Sequence, residues 1–144
     1  MFSKACEYGI RAAVYIAQQS GRGVRTGLKD IAEAIDSPEA FTAKILQQLS
    51  KNDLIQSSKG PTGGFEMTAH QLQTVMLSDV VRTIDSNLIY TGCGLGLANC
   101  DAQNPCPLHH EFMGIREQLK TMLETTAIRQ LAESLESGAA ILKR

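Results

Sequence analysis

The chain has 144 residues, 43% hydrophobic and 20% charged, with 14 basic against 15 acidic side chains. That length builds one or two small units, and the near-neutral balance excludes bulk charge as the means of holding nucleic acid. No uncharged apolar run is long enough to span a bilayer, and the charged opening MFSKACEYGIRAA is not a secretory signal, so a cytoplasmic, reducing setting without membrane partners is expected; clustered cysteines there point to metal or redox chemistry, not disulfides.

Apolar residues recur at helical spacing from Phe2 to about Gln19 and predict a first helix, closed by Gly21 and Gly23. Thr26 is placed to cap a second, short helix with Leu28, Ile31, Ala32 and Ile35 inside. Asp36-Ser37-Pro38-Glu39 restarts the chain: a capping side chain precedes proline at the first helical position, and an acid then meets the positive helix end. The third helix, Pro38 to about Lys51, buries Phe41, Ile45, Leu46 and Leu49 and turns Thr42, Lys44, Gln47, Gln48 and Lys51 outward. Two short helices, the second with a polar and basic face, form a helix-turn-helix pattern.

Residues 54–58 and 65–68 read as short strands around Lys59-Gly60-Pro61-Thr62-Gly63-Gly64. A hairpin directly after a helix-turn-helix is a wing, whose glycine-rich tip lets the backbone approach a phosphate or the minor groove. Thr42, Lys44, Gln48 and Lys51 of the third helix, with Lys59, Gly63 and Gly64 of the wing, are the expected contacts to double-stranded DNA. Lysines hold phosphates, whereas glutamine and threonine reach base edges. A polar link (Ala69 to Thr74, with a solvated His70) leads to a helix capped by Ser78, with Val80, Val81 and Ile84 inside.

Residues 93–110, CGLGLANCDAQNPCPLHH, form an irregular loop holding three of the four cysteines and two of the three histidines. Six residues separate Cys93 from Cys100, five separate Cys100 from Cys106, and two separate Cys106 from His109. No Lys or Arg occurs between Arg82 and Arg116, so a cationic metal centre is the expected compensation for anionic thiolates. After the loop, Leu108, Phe112, Ile115, Leu119 and Met122 alternate steps of four and three, the a/d seam of a coiled coil. Pairing with a second copy and packing on helix one are both compatible with it. Thr125 or Thr126 then caps a last helix with Ile128, Leu131 and Leu135 inside, ending at Ser137-Gly138.

Glu7-Tyr8-Gly9-Ile10-Arg11-Ala12, the stretch Ser37 to Leu46, the wing Lys59 to Phe65 and the three-cysteine loop, in this order, resemble the small dimeric winged-helix regulators that include the iron–sulfur cluster regulator IscR and the nitric-oxide-sensitive repressor NsrR. The resemblance covers nearly the whole chain. One departure is a first cysteine gap of six residues where familiar members have five, a difference a glycine-rich loop absorbs. The implied fold is mainly α with a small β-hairpin: a winged helix-turn-helix plus a long C-terminal dimerisation helix. Residues 1–85 would bind DNA, 86–107 the cluster, and 108–144 would dimerise.

The resemblance implies an iron–sulfur cluster, 2Fe–2S before 4Fe–4S, on Cys93, Cys100 and Cys106. His109, or Glu7 from the partner subunit, would be the fourth ligand. Soft sulfur donors suit iron and sulfide. Cys6 is a further candidate, with core packing as its ordinary role. The expected function is a transcription regulator, a repressor in the family's commoner mode, sensing cluster status, nitric oxide or redox state through changes in DNA affinity. The alternatives are a zinc-bound or thiol-only switch on the same fold, and a small electron-transfer protein. No phosphate-binding loop, nucleophile signature or acid–base pair points to an enzyme.

Overall fold

In the computed structural model, which describes residues 1–144, ten short elements surround one core. α1 (Lys4–Gly21) starts where the Ser3 hydroxyl accepts from the Cys6 N–H at 3.1 Å, a standard N-cap that sets the start two residues after Phe2. Its small residues Gly9, Ala12, Ala13 and Ala17, with Cys6 and Ile16, are buried and let neighbouring helices approach closely. A Cβ at Gly9 would run into the Ile84 side chain, so that glycine keeps α1 close to a later helix.

α2 (Leu28–Ala34) and α3 (Glu39–Lys51) follow as expected, but neither is capped as expected. Gly27, not Thr26, precedes α2. Pro38 is the N-cap of α3, not its first helical residue, with φ −58° and ψ 133°, and no side chain caps the helix. Ser37 instead meets the Thr42 hydroxyl at 2.8 Å. Tyr8 and Arg11 of α1 fasten the pair. The Arg11 guanidinium donates to the Ile35 carbonyl at the end of α2 (2.8 Å) and lies 4.7 Å from the Tyr8 ring centre, while Tyr8 stacks edge-on against Phe41 of α3.

β1 (Gln56–Ser58) and β2 (Gly64–Glu66) pair antiparallel, with Ser57 opposite Phe65. Both are shorter than the stretches expected from sequence. Thr26 and Phe65 add a bridge that ties the hairpin to the turn before α2. The expected polar link is a helix, α4 (Ala69–Thr74), because Thr68 and Gln71 form a reciprocal capping box. α5 (Leu77–Asp85) follows; Asp79, not Ser78, satisfies its start by accepting from the Met76 N–H at 2.8 Å. Ser78 is buried. A four-residue helix, α6 (Leu88–Thr91), precedes the cysteine loop and was not expected.

α7 (His109–Thr125) and α8 (Ile128–Glu136) complete the chain. The α8 start is set by Gln130 accepting from the Ala127 N–H, and not by Thr125 or Thr126. Gly138, with φ +77°, closes that helix as expected. Leu123, Ile128 and Ala132 belong to the same buried cluster as Cys6, Ile16, Leu46 and Val81. α7 and α8 thus contribute to that core through these three side chains. Each buried Leu or Ile contributes about 1.5–3 kcal/mol of transfer free energy.

The a/d seam divides between two environments. Leu119 packs on the chain's own core and the half-buried Phe112 lies against Gly94 of the cysteine loop, while Leu108, Ile115 and Met122, seven residues apart, stay 40%, 53% and 46% exposed.

Candidate nucleic-acid interface and metal centre

On α3, Ala40, Lys44, Gln47, Gln48 and Lys51 form one exposed stripe at spacings of three and four, with Glu39 also exposed at the helix start. Lys44, Gln48 and Lys51 stand free at the surface, where the sequence places them. Thr42 does not. It is fully buried, its hydroxyl donating to the Pro38 carbonyl at 2.8 Å and meeting Ser37, so it holds the start of the helix and cannot reach a base. Its methyl group suits the core and its hydroxyl is satisfied within one turn, which is why a threonine fits there.

The wing presents Lys59 at an exposed tip. A Cβ at Gly63 would collide with the Ser58 carbonyl oxygen, and one at Gly64, where φ is +140°, would stand 2.7 Å from the Thr26 carbonyl oxygen. Both glycines therefore shape the wing and its seat. Arg25, which sequence reasoning passed over, bonds the Glu66 carboxylate at 2.9 Å and the Thr62 carbonyl at 3.0 Å. The signal for it was only an arginine beside a turn.

The cysteine loop brings its groups together in two pairs. Cys100 Sγ and His109 Nδ1 lie 3.4 Å apart, with His109 buried at the first position of α7. The backbone N–H groups of Leu95 and Leu97, then the Cys106 thiol, hold the Cys93 thiol below its ordinary range. Cys93, Cys100 and Cys106 are each half-buried and form no disulfide. Asp101 organises the segment between, accepting from the Gln103 N–H at 2.8 Å and the Asn104 amide at 3.0 Å; those bonds keep its carboxyl below the usual range.

The expectation that no basic group serves this loop is overturned. Arg116 reaches back from α7, and both terminal nitrogens of its guanidinium lie 3.4 Å from Cys100 Sγ. One of them also donates to the Gly92 carbonyl at 2.6 Å. A contact to a residue ten positions past the last cysteine cannot be seen in a local charge count.

Glu7 lies on α1 and pairs with Lys4 at 3.1 Å. Cys6 is fully buried, so its packing role is the one the fold uses. Within the single chain no three His, Cys, Asp or Glu side chains stand close enough to share one metal ion. The donor set nevertheless fits an iron–sulfur centre: three free thiols and a buried imidazole, already paired in space, with a cation beside one sulfur. No helix is long and apolar enough to cross a membrane.

A family profile described as "Rrf2: Iron-dependent Transcriptional regulator" matches residues 2–134. A provisionally described HTH-type transcriptional regulator of Aquifex aeolicus is 30% identical over 133 residues, covering 91% of this chain and 90% of that protein. The HTH-type transcriptional regulator IscR of Xenorhabdus nematophila is 23% identical over 129 residues, covering 90% and 77%. Among solved structures, CymR, the global cysteine regulator of B. subtilis, superposes with a TM-score of 0.75 at 20% identity, over 92% of this chain and 96% of that one. IscR of T. potens gives 0.73 at 18% identity, over 97% and 91%. These likenesses agree with the winged-helix architecture built above.

Proposed function

The chain belongs to the Rrf2 family of transcriptional regulators, and from that premise we propose that it is a DNA-binding homodimer, acting as a repressor, whose affinity for its operator is set by an iron–sulfur cluster in the loop 93–109. The observation that carries this reading is the meeting of Cys100 with His109 at 3.4 Å, in the same loop that holds Cys93 and Cys106. Cys93, Cys100 and Cys106 would hold the cluster, with His109 completing the set; Glu7 of the partner subunit is the competing fourth ligand. A 2Fe–2S centre is preferred to 4Fe–4S, and one non-thiolate ligand makes either easier to lose or oxidise, which suits a sensor rather than an electron carrier. When bound, the cluster supplies a centre responsive to cluster status, nitric oxide or redox state.

The chain's own residues supply the rest. Lys44, Gln48 and Lys51 of α3 enter the major groove, and Lys59 with the Gly63-Gly64 backbone meets phosphates. Leu108, Ile115 and Met122 pair with their copies on a second α7. Two recognition helices must stand about 34 Å apart to read successive major grooves. α7 touches the loop through His109 and Arg116 and, on this reading, the second copy through the exposed stripe, so ordering the loop shifts the spacing of the two α3 helices. A ligand that favours one spacing shifts DNA affinity by its differential affinity for the two states.

The test is protein purified without oxygen. Near-equal iron and acid-labile sulfide, with visible absorbance that Cys100→Ala removes without dissociating the dimer, supports the reading. A colourless protein carrying zinc, or no metal after reconstitution, overturns the cluster. Footprinting with holo and apo protein then measures the switch; equal affinity of the two forms overturns the linkage.

A further inference from the structure

The face of α7 that carries His109, Phe112 and Arg116, at steps of three and four, turns toward the cysteine loop. His109 meets Cys100 at 3.4 Å. The Phe112 ring lies so close to Gly94 that a Cβ there would collide with it. Arg116 makes the longest reach. Its guanidinium binds the Gly92 carbonyl at 2.6 Å, one residue before the first cysteine, and Cys100 Sγ at 3.4 Å from each terminal nitrogen. One side chain thus spans the entry of the loop and its middle thiol.

We propose that Arg116 is a positioning residue for the cluster site: it clamps the loop against α7 before any metal arrives and stays beside Cys100 as a cation and N–H donor once the sulfur is a ligand. The proposal rests on the cluster reading above. Its physical basis is the planar fork of the guanidinium, which offers several N–H donors in fixed directions. A carbonyl and a thiol sulfur can therefore be held together, where a lysine ammonium at the end of a flexible stem holds one or the other. A folded loop needs less ordering when the cluster assembles. A donor and a positive charge beside a ligand thiolate favour the more negative, reduced centre.

Two measurements test it, on Arg116→Ala and Arg116→Lys in the full chain. The first is amide hydrogen exchange on metal-free, reduced protein. Exchange across residues 92–100 should rise roughly tenfold in R116A, with R116K in between, while the amides of α1 and α5 keep their protection. Unchanged exchange at 92–100 overturns the clamp. The second is the midpoint potential of the reconstituted centre, which a purely structural role would not move. It should fall in R116A and recover in R116K, where the charge remains. A potential unchanged in R116A overturns the role beside the ligand. Because the exchange measurement needs no cluster, a wild type that binds neither iron nor sulfide overturns the cluster reading separately.

Discussion

Thr26 and Phe65, 39 positions apart in the chain, exchange both backbone hydrogen bonds: Thr26 N–H to the Phe65 carbonyl at 3.0 Å and Phe65 N–H to the Thr26 carbonyl at 2.8 Å. The wing is thereby seated on the turn that leads into α2, and Arg25 closes the same joint through Glu66 and Thr62. Gly64 makes the close approach possible. Gly64→Ala should cost about 1–3 kcal/mol, since it adds a Cβ 2.7 Å from the Thr26 carbonyl oxygen at a φ of +140°. The expected outcome is a melting temperature lower by a few degrees and weaker operator binding, read by thermal denaturation and fluorescence anisotropy. A variant as stable as wild type would mean that the joint relaxes freely.

Lys59 stands exposed at the wing tip, with no ion pair to release before it meets a phosphate. Lys59→Ala should weaken binding to operator and unrelated DNA alike and lower the salt slope by about one. Titrations at several salt concentrations check this; an unchanged slope would remove the phosphate contact.

Cys6 provides a pH prediction away from the metal loop. Burial first, then the Asp85 carboxylate, pushes its thiol up from 9.0 to about 12. The folded chain keeps the proton where the unfolded chain loses it, so this contribution to stability is fully present below about pH 9 and is lost as pH rises toward 12. Cys6→Ala should flatten the fall in stability above pH 9, and Cys6 in wild type should escape alkylation at pH 8 while the loop cysteines react. Denaturant titrations across pH and mass mapping of labelled peptides read the two effects.

The helix-turn-helix and wing were legible because they rest on patterns of the chain itself: apolar steps of three and four, glycines at the hairpin, an exposed polar stripe on α3. The caps were less so. Thr26, Ser78 and Thr125 or Thr126 are all good capping residues, yet Gly27, Met76 and Ala127 occupy the N-cap positions. In the last two cases a carboxylate or amide three residues onward satisfies the start instead. Propensity ranks residues that can cap; local geometry chooses among them. Thr42 was misplaced because helical periodicity puts it at the edge of the buried face, and its hydroxyl decided inward by bonding Pro38. Arg116 was missed because only the folded loop brings it to Cys100.

The same division of α7 yields a prediction about assembly. Leu123 is buried within the chain, Leu119 packs against the core and Phe112 lies against Gly94 of the cysteine loop; Leu108, Ile115 and Met122 are the members of the apolar pattern left exposed in a single chain. A heptad-spaced stripe of this kind matches its own copy across a two-fold axis. Ile115 lies at its centre, so Ile115→Glu would place a carboxylate, and its symmetry mate, into an apolar contact. The dimer dissociation constant should rise more than about a hundredfold. Ile115 is 53% exposed in the single chain, so the fold itself should keep its melting behaviour. Sedimentation equilibrium reads the assembly, and footprinting should show loss of the paired half-site pattern with residual binding to single half-sites. A variant that still sediments as a dimer would move the interface off this stripe.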